Sequence, residues 1–283
     1  MRVASLCSGI GGFDLGLERA GMQIAWQCEI APYCQHVLAK HWPDVPRYSD
    51  LRSLTGFEVA PVDLICAGFP CQPVSIASST RRAQDDQRWL WPEIFRLCRD
   101  LKPRPRWIVL ENVPGLLSAG KPRGSAFGEV VADLASLWMD IEWDVLSAGD
   151  VGAPHLRKRV WIIARTPMAD TNGSRLERRT LLSERPIEHA RSGGLADADS
   201  AGLVQRRHAE SMEEEQRSTE RRGTSRRIFD GEIGGIWKPE PSVGRVAHGV
   251  PSRVDRLRGL GNAIVPQVAE WIGRRILEAE SSQ

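Results

Sequence analysis

The chain has 283 residues, of which 26% are charged and 41% hydrophobic, and its formal net charge is +2. This length can bury a full core and form one large domain with a smaller one, and the composition excludes a chain that is disordered throughout. Because the net charge is close to zero, it argues neither for nor against nucleic acid. A basic binding surface would have to come from local clusters of arginine and lysine.

The 6 cysteines all lie before residue 99 and include no Cys-x-x-Cys pair and no nearby His-x-x-x-His. We therefore expect neither a metal site nor a disulfide framework, and reduced thiols are the better interpretation. No stretch approaches the roughly 20 apolar residues of a membrane span, and the N-terminus has no long apolar signal region. These features predict a cytoplasmic protein without a membrane partner.

The chain begins with a predicted strand, Val3 to Cys7, followed by the turn Ser8-Gly9-Ile10-Gly11-Gly12 and a helix that ends near Gly21. Glycines in such a turn let the backbone approach a ligand closely, with the helix N-terminus facing the same place. The spacing differs from the dinucleotide pattern Gly-x-Gly-x-x-Gly. A tight turn without a ligand explains it equally well.

A second strand, Met22 to Cys28, ends at Glu29-Ile30, about twenty residues after the glycine turn. An acidic side chain in that place can accept hydrogen bonds from ribose hydroxyls, so the two features together favour a nucleoside-containing cofactor. A helix from Pro32 to Lys40 and a short strand from Pro46 to Tyr48 follow. Asp50 comes next, where it would either meet an adenine amino group or cap a helix.

The stretch Asp63 to Pro73 predicts a short buried strand that runs into a loop carrying Cys71. Prolines on both sides of this cysteine restrict the backbone around the thiol, and the ends of strands in open α/β sheets are where ligands bind. A single cysteine after an apolar strand is more often a core residue, so Cys71 alone decides nothing. The polar segment 75–88 is predicted to be a mobile lid.

The next predicted elements are two helices and three strands. They are a helix over 89–101, a strand over 106–110, a helix over 127–139, a strand over 141–147 and a strand over 160–164. Glu111 follows the strand over 106–110, and a carboxylate is rarely placed at the end of a buried strand without a partner.

Arg157 and Arg159 are two residues apart at the start of the strand over 160–164, so we expect them to share one of its faces. They would be either solvated charges or a clamp for an anion or a carboxylate. Composition then changes near Thr166, and up to about Gly235 there is little periodic apolar pattern and a cluster of arginines. This insertion suits phosphate and base contacts, although a partly disordered surface insertion fits the composition as well.

Order returns near Trp237, and a closing amphipathic helix carries apolar residues at helical spacing from Ile264 onward. Asn262, which follows Gly261, is predicted to stand at the N-terminus of this helix, where it could meet a polar ligand.

Six motifs then occur in an order that resembles the cytosine-5 DNA methyltransferases of bacterial or phage restriction-modification systems. They are Ser8-Gly9-Ile10-Gly11-Gly12, Pro70-Cys71-Gln72, Glu111-Asn112-Val113, Arg157-Lys158-Arg159, a variable insertion, and Gly261-Asn262-Ala263-Ile264-Val265-Pro266. The resemblance implies an α/β fold with a Rossmann-like S-adenosylmethionine-dependent methyltransferase sheet. It further implies a catalytic and cofactor-binding domain over 1–165, an irregular target recognition region over 166–243, and a C-terminal segment over 244–283 that returns to the catalytic domain.

The resemblance also implies roles for individual residues. S-adenosylmethionine would be bound by Leu6, Ser8, Gly9, Gly11, Gly12, Glu29, Ile30, Asp50, Leu51, Pro70, Asn262 and Ala263. Glu29 would hold the ribose of this cofactor, and Asp50 with Leu51 its adenine. Cys71 would be the nucleophile, with Glu111, Arg157 and Arg159 as the other catalytic residues. Two departures are His155, where many members have Gln, and Cys7, where an aromatic residue commonly contacts the cofactor.

The residue types fit the chemistry of cytosine methylation. A thiolate that adds to carbon 6 turns carbon 5 into a nucleophile, and arginines beside Cys71 would favour the thiolate. Glu111 would stabilise the charge that develops on the ring. Carbon 6 is inaccessible inside a duplex, so the base must be turned out of the helix. The implied partner is double-stranded DNA, bound by a monomer, and a cognate restriction endonuclease is a second candidate partner.

Two alternatives stay open, an RNA (transfer RNA type) cytosine-5 methyltransferase and a non-catalytic DNA-binding relative. An amino-methyltransferase is disfavoured because the Pro-Pro-aromatic signature is absent. The sequence identifies neither the recognition sequence, nor a cognate restriction endonuclease, nor the base that removes the carbon-5 proton.

Overall fold

The structure, a computed structural model, describes residues 1–70, 89–120, 122–167 and 253–282. By its internal contacts the chain divides into two units, Met1–Pro186 with Ser242–Gln283, and Ile187–Pro241. All described residues belong to the first unit. The predicted lid over 75–88 and most of the predicted target recognition region lie outside the described residues.

The described residues form one sheet with seven strands in the order β3-β2-β1-β4-β5-β7-β6. The strands are β1 (Arg2–Leu6), β2 (Gln23–Cys28), β3 (Arg47–Tyr48), β4 (Leu64–Gly68), β5 (Trp107–Asn112), β6 (Asp140–Leu146) and β7 (Arg159–Arg165). The first five strands run parallel, whereas β7 is antiparallel to both of its neighbours. The carboxyl ends of the parallel strands and the amino end of β7 therefore lie at the same edge of the sheet.

Helices cover both faces of this sheet. They are α1 (Gly12–Arg19), α2 (Pro32–His41), α3 (Trp91–Asp100), α4 (Ser125–Ser136), α5 (Arg253–Asn262) and α6 (Pro266–Ser281). Short 3₁₀ segments at Pro114–Ser118 and Ala148–Val151 connect strands to the next element.

The alternation of side chains along the strands divides the core into two layers. Ala4, Ile65 and Ile108 are register neighbours on one face, where they pack under the apolar sides of α3 and α4. Val3 and Leu64 face the opposite side, where α1 and α6 cover them. Because successive residues of a strand point to opposite faces, these nearly continuous apolar runs bury both sides of the sheet.

Glycines allow α1 and α6 to approach each other closely. A Cβ at Gly12 would collide with the carbonyl oxygen of Ile264, and a Cβ at Gly16 would lie 2.6 Å from the Cβ of Ala269 and also collide with the carbonyl oxygen of Pro266. The helix that starts with the glycine turn is thus locked against the C-terminal helix by backbone contact.

The α/β class is confirmed, and the predicted strands and helices are present with small shifts of the ends, whereas α5 was not predicted. The helix predicted over 127–139 begins at Ser125 and ends at Ser136. Two local predictions are wrong. Arg157 lies before β7 with φ of 26°, so it does not share a strand face with Arg159. Asn262 is the last residue of α5, and α6 begins at Pro266 after Val265. Within the described residues, none of the helices has both the length and the apolar character that spanning a bilayer requires.

The glycine contact predicts a large effect of one methyl group. We expect Gly16→Ala to lower the free energy of unfolding by about 2 kcal/mol or more, because the new methyl group overlaps backbone that cannot move cheaply. Urea denaturation of the purified protein measures this change.

Gly128→Ala is the matched control, since Gly128 also lies inside a helix but a Cβ there meets nothing within 4 Å. Alanine should stabilise at this site by about 0.5–1 kcal/mol. Equal effects of the two substitutions would contradict the packing argument.

Candidate active site

A cleft of about 600 Å³ opens at the carboxyl edge of the sheet. Its lining includes residues at the ends of β2, β4 and β5 and at the start of β7, together with residues of α5. Several predicted site residues meet there, namely Gly9, Glu29, Ile30, Asp50, Leu51, Pro70, Glu111, Arg159 and Asn262. Clefts of this size are typical of small-molecule sites, and the ends of parallel strands are their usual place in α/β folds.

Glu29 is fixed by two backbone amides. Its Oε2 accepts a hydrogen bond from the N–H of Gly9 at 2.7 Å, and its Oε1 accepts one from the N–H of Ala31 at 2.8 Å. An ionised carboxylate offers about four lone-pair positions, so it can still accept further hydrogen bonds. Gly9 itself has a left-handed backbone with φ of 57°, and nothing lies within 4 Å of where its Cβ would be. The end of β2 therefore presents a preorganised acceptor to the cleft.

The turn after β3 supplies another wall of the cleft. The Oδ1 of Asp50 accepts from the N–H of Arg52 at 2.9 Å, so Asp50 caps a turn and not a helix. Leu51 is almost fully buried beside it, and its carbonyl accepts a hydrogen bond from Nη2 of Arg96 at 3.0 Å. Arg96 thereby ties this turn to α3.

Glu111 lies at the end of β5 with only 8% of its surface exposed. Its Oε1 is 2.9 Å from Nε of Arg159, the first residue of β7. Burial raises the pKa of the Glu111 carboxyl to about 7, while the charges of Arg159 and Arg157 act in the opposite direction. The side chain can therefore exist both with and without its proton near neutral pH, and it faces the cleft.

Asn112 connects β5 to the strand end that precedes Cys71. Its Nδ2 donates to the carbonyl of Phe69 at 3.2 Å, and its Oδ1 accepts from the N–H of Val113 at 2.9 Å. Phe69, Pro70 and Asn112 all line the cleft. Cys71 lies outside the described residues, and its role as nucleophile stays a prediction.

Arg157 contacts the end of α5 and the residue that follows this helix. Its Nη2 donates to the carbonyl oxygens of Gly261 at 2.8 Å and of Ala263 at 2.6 Å. Asn262, which lies between these carbonyls, lines the cleft, whereas Arg157 and Ala263 do not. The described contacts of Arg157 therefore position the wall that carries Asn262.

The remaining predicted cofactor residues lie behind the cleft wall. Leu6 is fully buried in the core, and the hydroxyl of Ser8 donates to the carbonyl of Ser5 at 2.8 Å. Gly11 faces the Trp42 ring, and Gly12 faces Ile264. None of these four residues lines the cleft in the described structure, and their contact with a cofactor stays a prediction.

Sequence reasoning missed several residues of the cleft, including Tyr33, Arg52, Phe69, Leu90, Asn112, Asp255 and Arg258. Asn112 lies inside a quoted motif and Phe69 directly precedes one, and this was the available signal for those two. For Asp255 and Arg258 no signal existed, because only the fold brings α5 to the strand ends. Among the described residues, no group of three or more His, Cys, Asp or Glu side chains is arranged to bind a metal ion.

Comparison with known proteins gives a consistent result. A family model described as C-5 cytosine-specific DNA methylase matches residues 1–235. The type II methyltransferase M2.BsuMI of Bacillus subtilis is 34% identical over 166 residues, which cover 58% of this chain and 42% of that protein. The type II methyltransferase M.NgoMIV of Neisseria gonorrhoeae is 36% identical over 161 residues, covering 56% and 50%. Each match spans half or less of the relative's length.

A solved structure is also similar. The methyltransferase EhMeth of Entamoeba histolytica superposes with a TM-score of 0.50 and 25% sequence identity, over 60% of this chain and 54% of that one.

The raised pKa of Glu111 predicts a pH dependence of stability. Between the ordinary value of 4.5 and about 7, the folded state holds more of the Glu111 proton than the unfolded state does, so this group makes stability fall as pH rises. Glu111→Gln removes the titration. The difference in free energy of unfolding, variant minus wild type, should therefore increase by about 1–3 kcal/mol between pH 5 and pH 8.

Urea denaturation of both proteins at four pH values measures this difference. Asp14, whose pKa burial raises to about 6, titrates in both proteins and cancels in the comparison. Stability curves that stay parallel across the range would show that Glu111 titrates normally.

Proposed function

The chain belongs to the C-5 cytosine-specific DNA methylase family, and from that premise we propose that it transfers a methyl group from S-adenosylmethionine to carbon 5 of a flipped cytosine in a specific duplex sequence. The observation that carries the proposal is the meeting of Pro70, Glu111 and Arg159 in the cleft that Glu29 also lines. The cleft thus brings together the strand end that leads to Cys71, a carboxyl group that can hold a proton, and a guanidinium group.

The residues of the cleft fit the proposed cofactor. The Glu29 carboxylate retains acceptor capacity for ribose hydroxyls, and Leu51 and Ile30 offer apolar surface for a purine. Asp50 supplies an acceptor in the same wall for an exocyclic amine. S-adenosylmethionine, when bound, supplies an electrophilic methyl group on a sulfonium. We propose that Pro70 and Asn262 border the methionine end.

Cys71 would add to carbon 6 of the cytosine as a thiolate, forming a transient bond that turns carbon 5 into a nucleophile. Negative charge then develops on the ring toward N3. Glu111 can donate a proton to N3 or accept a hydrogen bond from the exocyclic amine, because its pKa of about 7 leaves both protonation states populated.

Arg159 would hold the Glu111 carboxyl in place through its bond at 2.9 Å and would favour the thiolate electrostatically. Arg157 would support this arrangement from the α5–α6 connection. Carbon 5 would then take the methyl group from the sulfonium, whose sulfur leaves as a neutral thioether. When a base removes the carbon-5 proton, the bond between carbon 6 and the sulfur breaks and Cys71 is released as a thiolate. The target recognition region over 166–243, the monomeric state and a cognate restriction endonuclease stay predictions.

A covalent trap tests the nucleophile. Duplex DNA containing 5-fluorocytosine, incubated with the full chain and S-adenosylmethionine, should give a protein–DNA adduct at Cys71, because fluorine at carbon 5 blocks release of the thiol. Cys71→Ser should give no adduct and lose at least about 10³-fold in methyl transfer. Cys98→Ala, which removes a core thiol of α3, is the control and should retain the adduct.

The substrate is tested with the same protein. Methyl incorporation into a library of duplex DNA, followed by bisulfite sequencing, should reveal cytosine methylation in one sequence context. Incorporation into transfer RNA with none into duplex DNA would overturn the DNA assignment and favour the RNA alternative.

A further inference from the structure

The two flanks of the segment that carries Cys71 meet in one aromatic cluster. Phe69 precedes this segment and Trp89 follows it, and their ring centroids are 5.6 Å apart with an edge-to-face angle of 81°. The ring of Trp91 lies 6.4 Å from that of Phe69. We call Phe69, Trp89 and Trp91 the flank cluster. All three are at most 5% exposed, so both ends of the segment are held at the same buried point.

Two carboxylates of α4 accept hydrogen bonds from this cluster. Trp91 Nε1 donates to Asp133 Oδ2 at 2.7 Å, and Trp89 Nε1 donates to Glu129 Oε1 at 3.3 Å. Glu129 and Asp133 are four residues apart and therefore lie on the same face of α4. On the opposite side, the Phe69 carbonyl accepts from Asn112 Nδ2 at 3.2 Å. The cluster is thus fixed by directional bonds as well as by packing.

The shorter of the two indole bonds holds the better-buried ring. Trp91 is fully buried, so an indole N–H without an acceptor there would carry an uncompensated desolvation cost. The bond to an ionised acceptor is stronger and more directional than one to a carbonyl. Because Trp91 contacts Phe69, any shift of its ring is transmitted to Phe69, which is two residues, at most about 7.6 Å along the chain, from Cys71.

We propose that Asp133 is a positioning residue for Cys71, acting through Trp91 and Phe69. Asp133 does not line the cleft, so its effect on the reaction has to pass through the flank cluster. This inference rests on the proposed function, and it deepens that function by assigning a role to a carboxylate that the chemistry itself does not use.

The test compares two substitutions at one position. Asp133→Leu removes the acceptor at similar side-chain size, whereas Asp133→Asn keeps an acceptor oxygen. In single-turnover methyl transfer with duplex DNA, Asp133→Leu should be about tenfold slower than the wild type, because a small misplacement of a reacting group lowers the rate of the chemical step. The KM for S-adenosylmethionine should stay within about twofold of the wild-type value. Asp133→Asn should restore most of the rate.

Glu280→Leu is the matched control. Glu280 Oε1 accepts from Trp107 Nε1 at 2.8 Å, an indole–carboxylate bond at the start of β5, at the opposite edge of the sheet from the cleft. Its loss, which also removes the ion pair of Glu280 Oε2 with Arg106 Nη2 at 2.5 Å, should lower the free energy of unfolding. The single-turnover rate should stay within about twofold, since both bonds lie at the edge of the sheet opposite the cleft.

A second measurement does not need methyltransferase activity. The rate at which iodoacetamide alkylates Cys71 without DNA, mapped by mass spectrometry, should differ from that of the wild type by at least about threefold in Asp133→Leu, because a displaced Phe69 moves the chain that carries the thiol. Asp133→Asn and Glu280→Leu should stay close to the wild type.

These outcomes separate the two hypotheses. If the wild type transfers no methyl group, the proposed function fails, while the alkylation rates still decide whether Asp133 positions Cys71. If Asp133→Leu lowers stability as Glu280→Leu does but leaves both the alkylation rate and the single-turnover rate unchanged, Asp133 is only structural and the inference is wrong.

Discussion

The ion pair between Glu111 and Arg159 is the interaction on which the candidate active site depends. A carboxylate buried at the end of a strand costs several kcal/mol unless a charged partner compensates it. The partner is available because β7 runs antiparallel to β5, so that Arg159, the first residue of β7, reaches the edge where β5 ends. If β7 were parallel, its last residues would meet Glu111 instead. The reversal of one strand in an otherwise parallel run thus supplies the positive charge of the site.

Burial of a carboxyl group does not by itself mark a functional residue in this fold. Asp14 is fully buried on α1, and burial raises its pKa to about 6. Its oxygens accept from the Ser5 hydroxyl at 2.9 Å and from Gln27 Nε2 at 2.8 Å, so both of these partners are buried side chains of the core. Glu111 has a similarly raised pKa, but it lines a cleft and is paired with a cation. Access to solvent-filled space distinguishes the two groups, and a perturbed pKa gains meaning only together with that geometry.

The sequence predicted the α/β class, the strands and the position of polar residues at strand ends, because the period of apolar residues and the chemistry of strand termini are local properties. Other features are set by tertiary contact and carry no local signal. The glycine turn was interpreted as a ligand site, yet Gly11 and Gly12 are also required where Trp42 and Ile264 approach. The two-residue spacing predicts that Arg157 and Arg159 share a strand face. Arg157 instead lies before β7 with a left-handed backbone, and its side chain contacts the α5–α6 connection. The pairing of Trp91 with Asp133 links positions 42 residues apart and no periodicity encodes it.

Beyond the carboxyl edge of the sheet the backbone no longer forms hydrogen bonds to neighbouring strands. Side chains form hydrogen bonds to it instead. The guanidinium of Arg157 holds one carbonyl at the end of α5 and one just after it, Arg96 holds the carbonyl of Leu51, and Asn112 holds that of Phe69. Glu29 performs the complementary role, since it accepts from two backbone amides. Buried backbone groups must be paired wherever water is excluded, so a cleft at this edge requires such residues before it can bind anything. Many polar residues around the cleft are therefore committed to building its walls, whereas Glu111 also faces its open space.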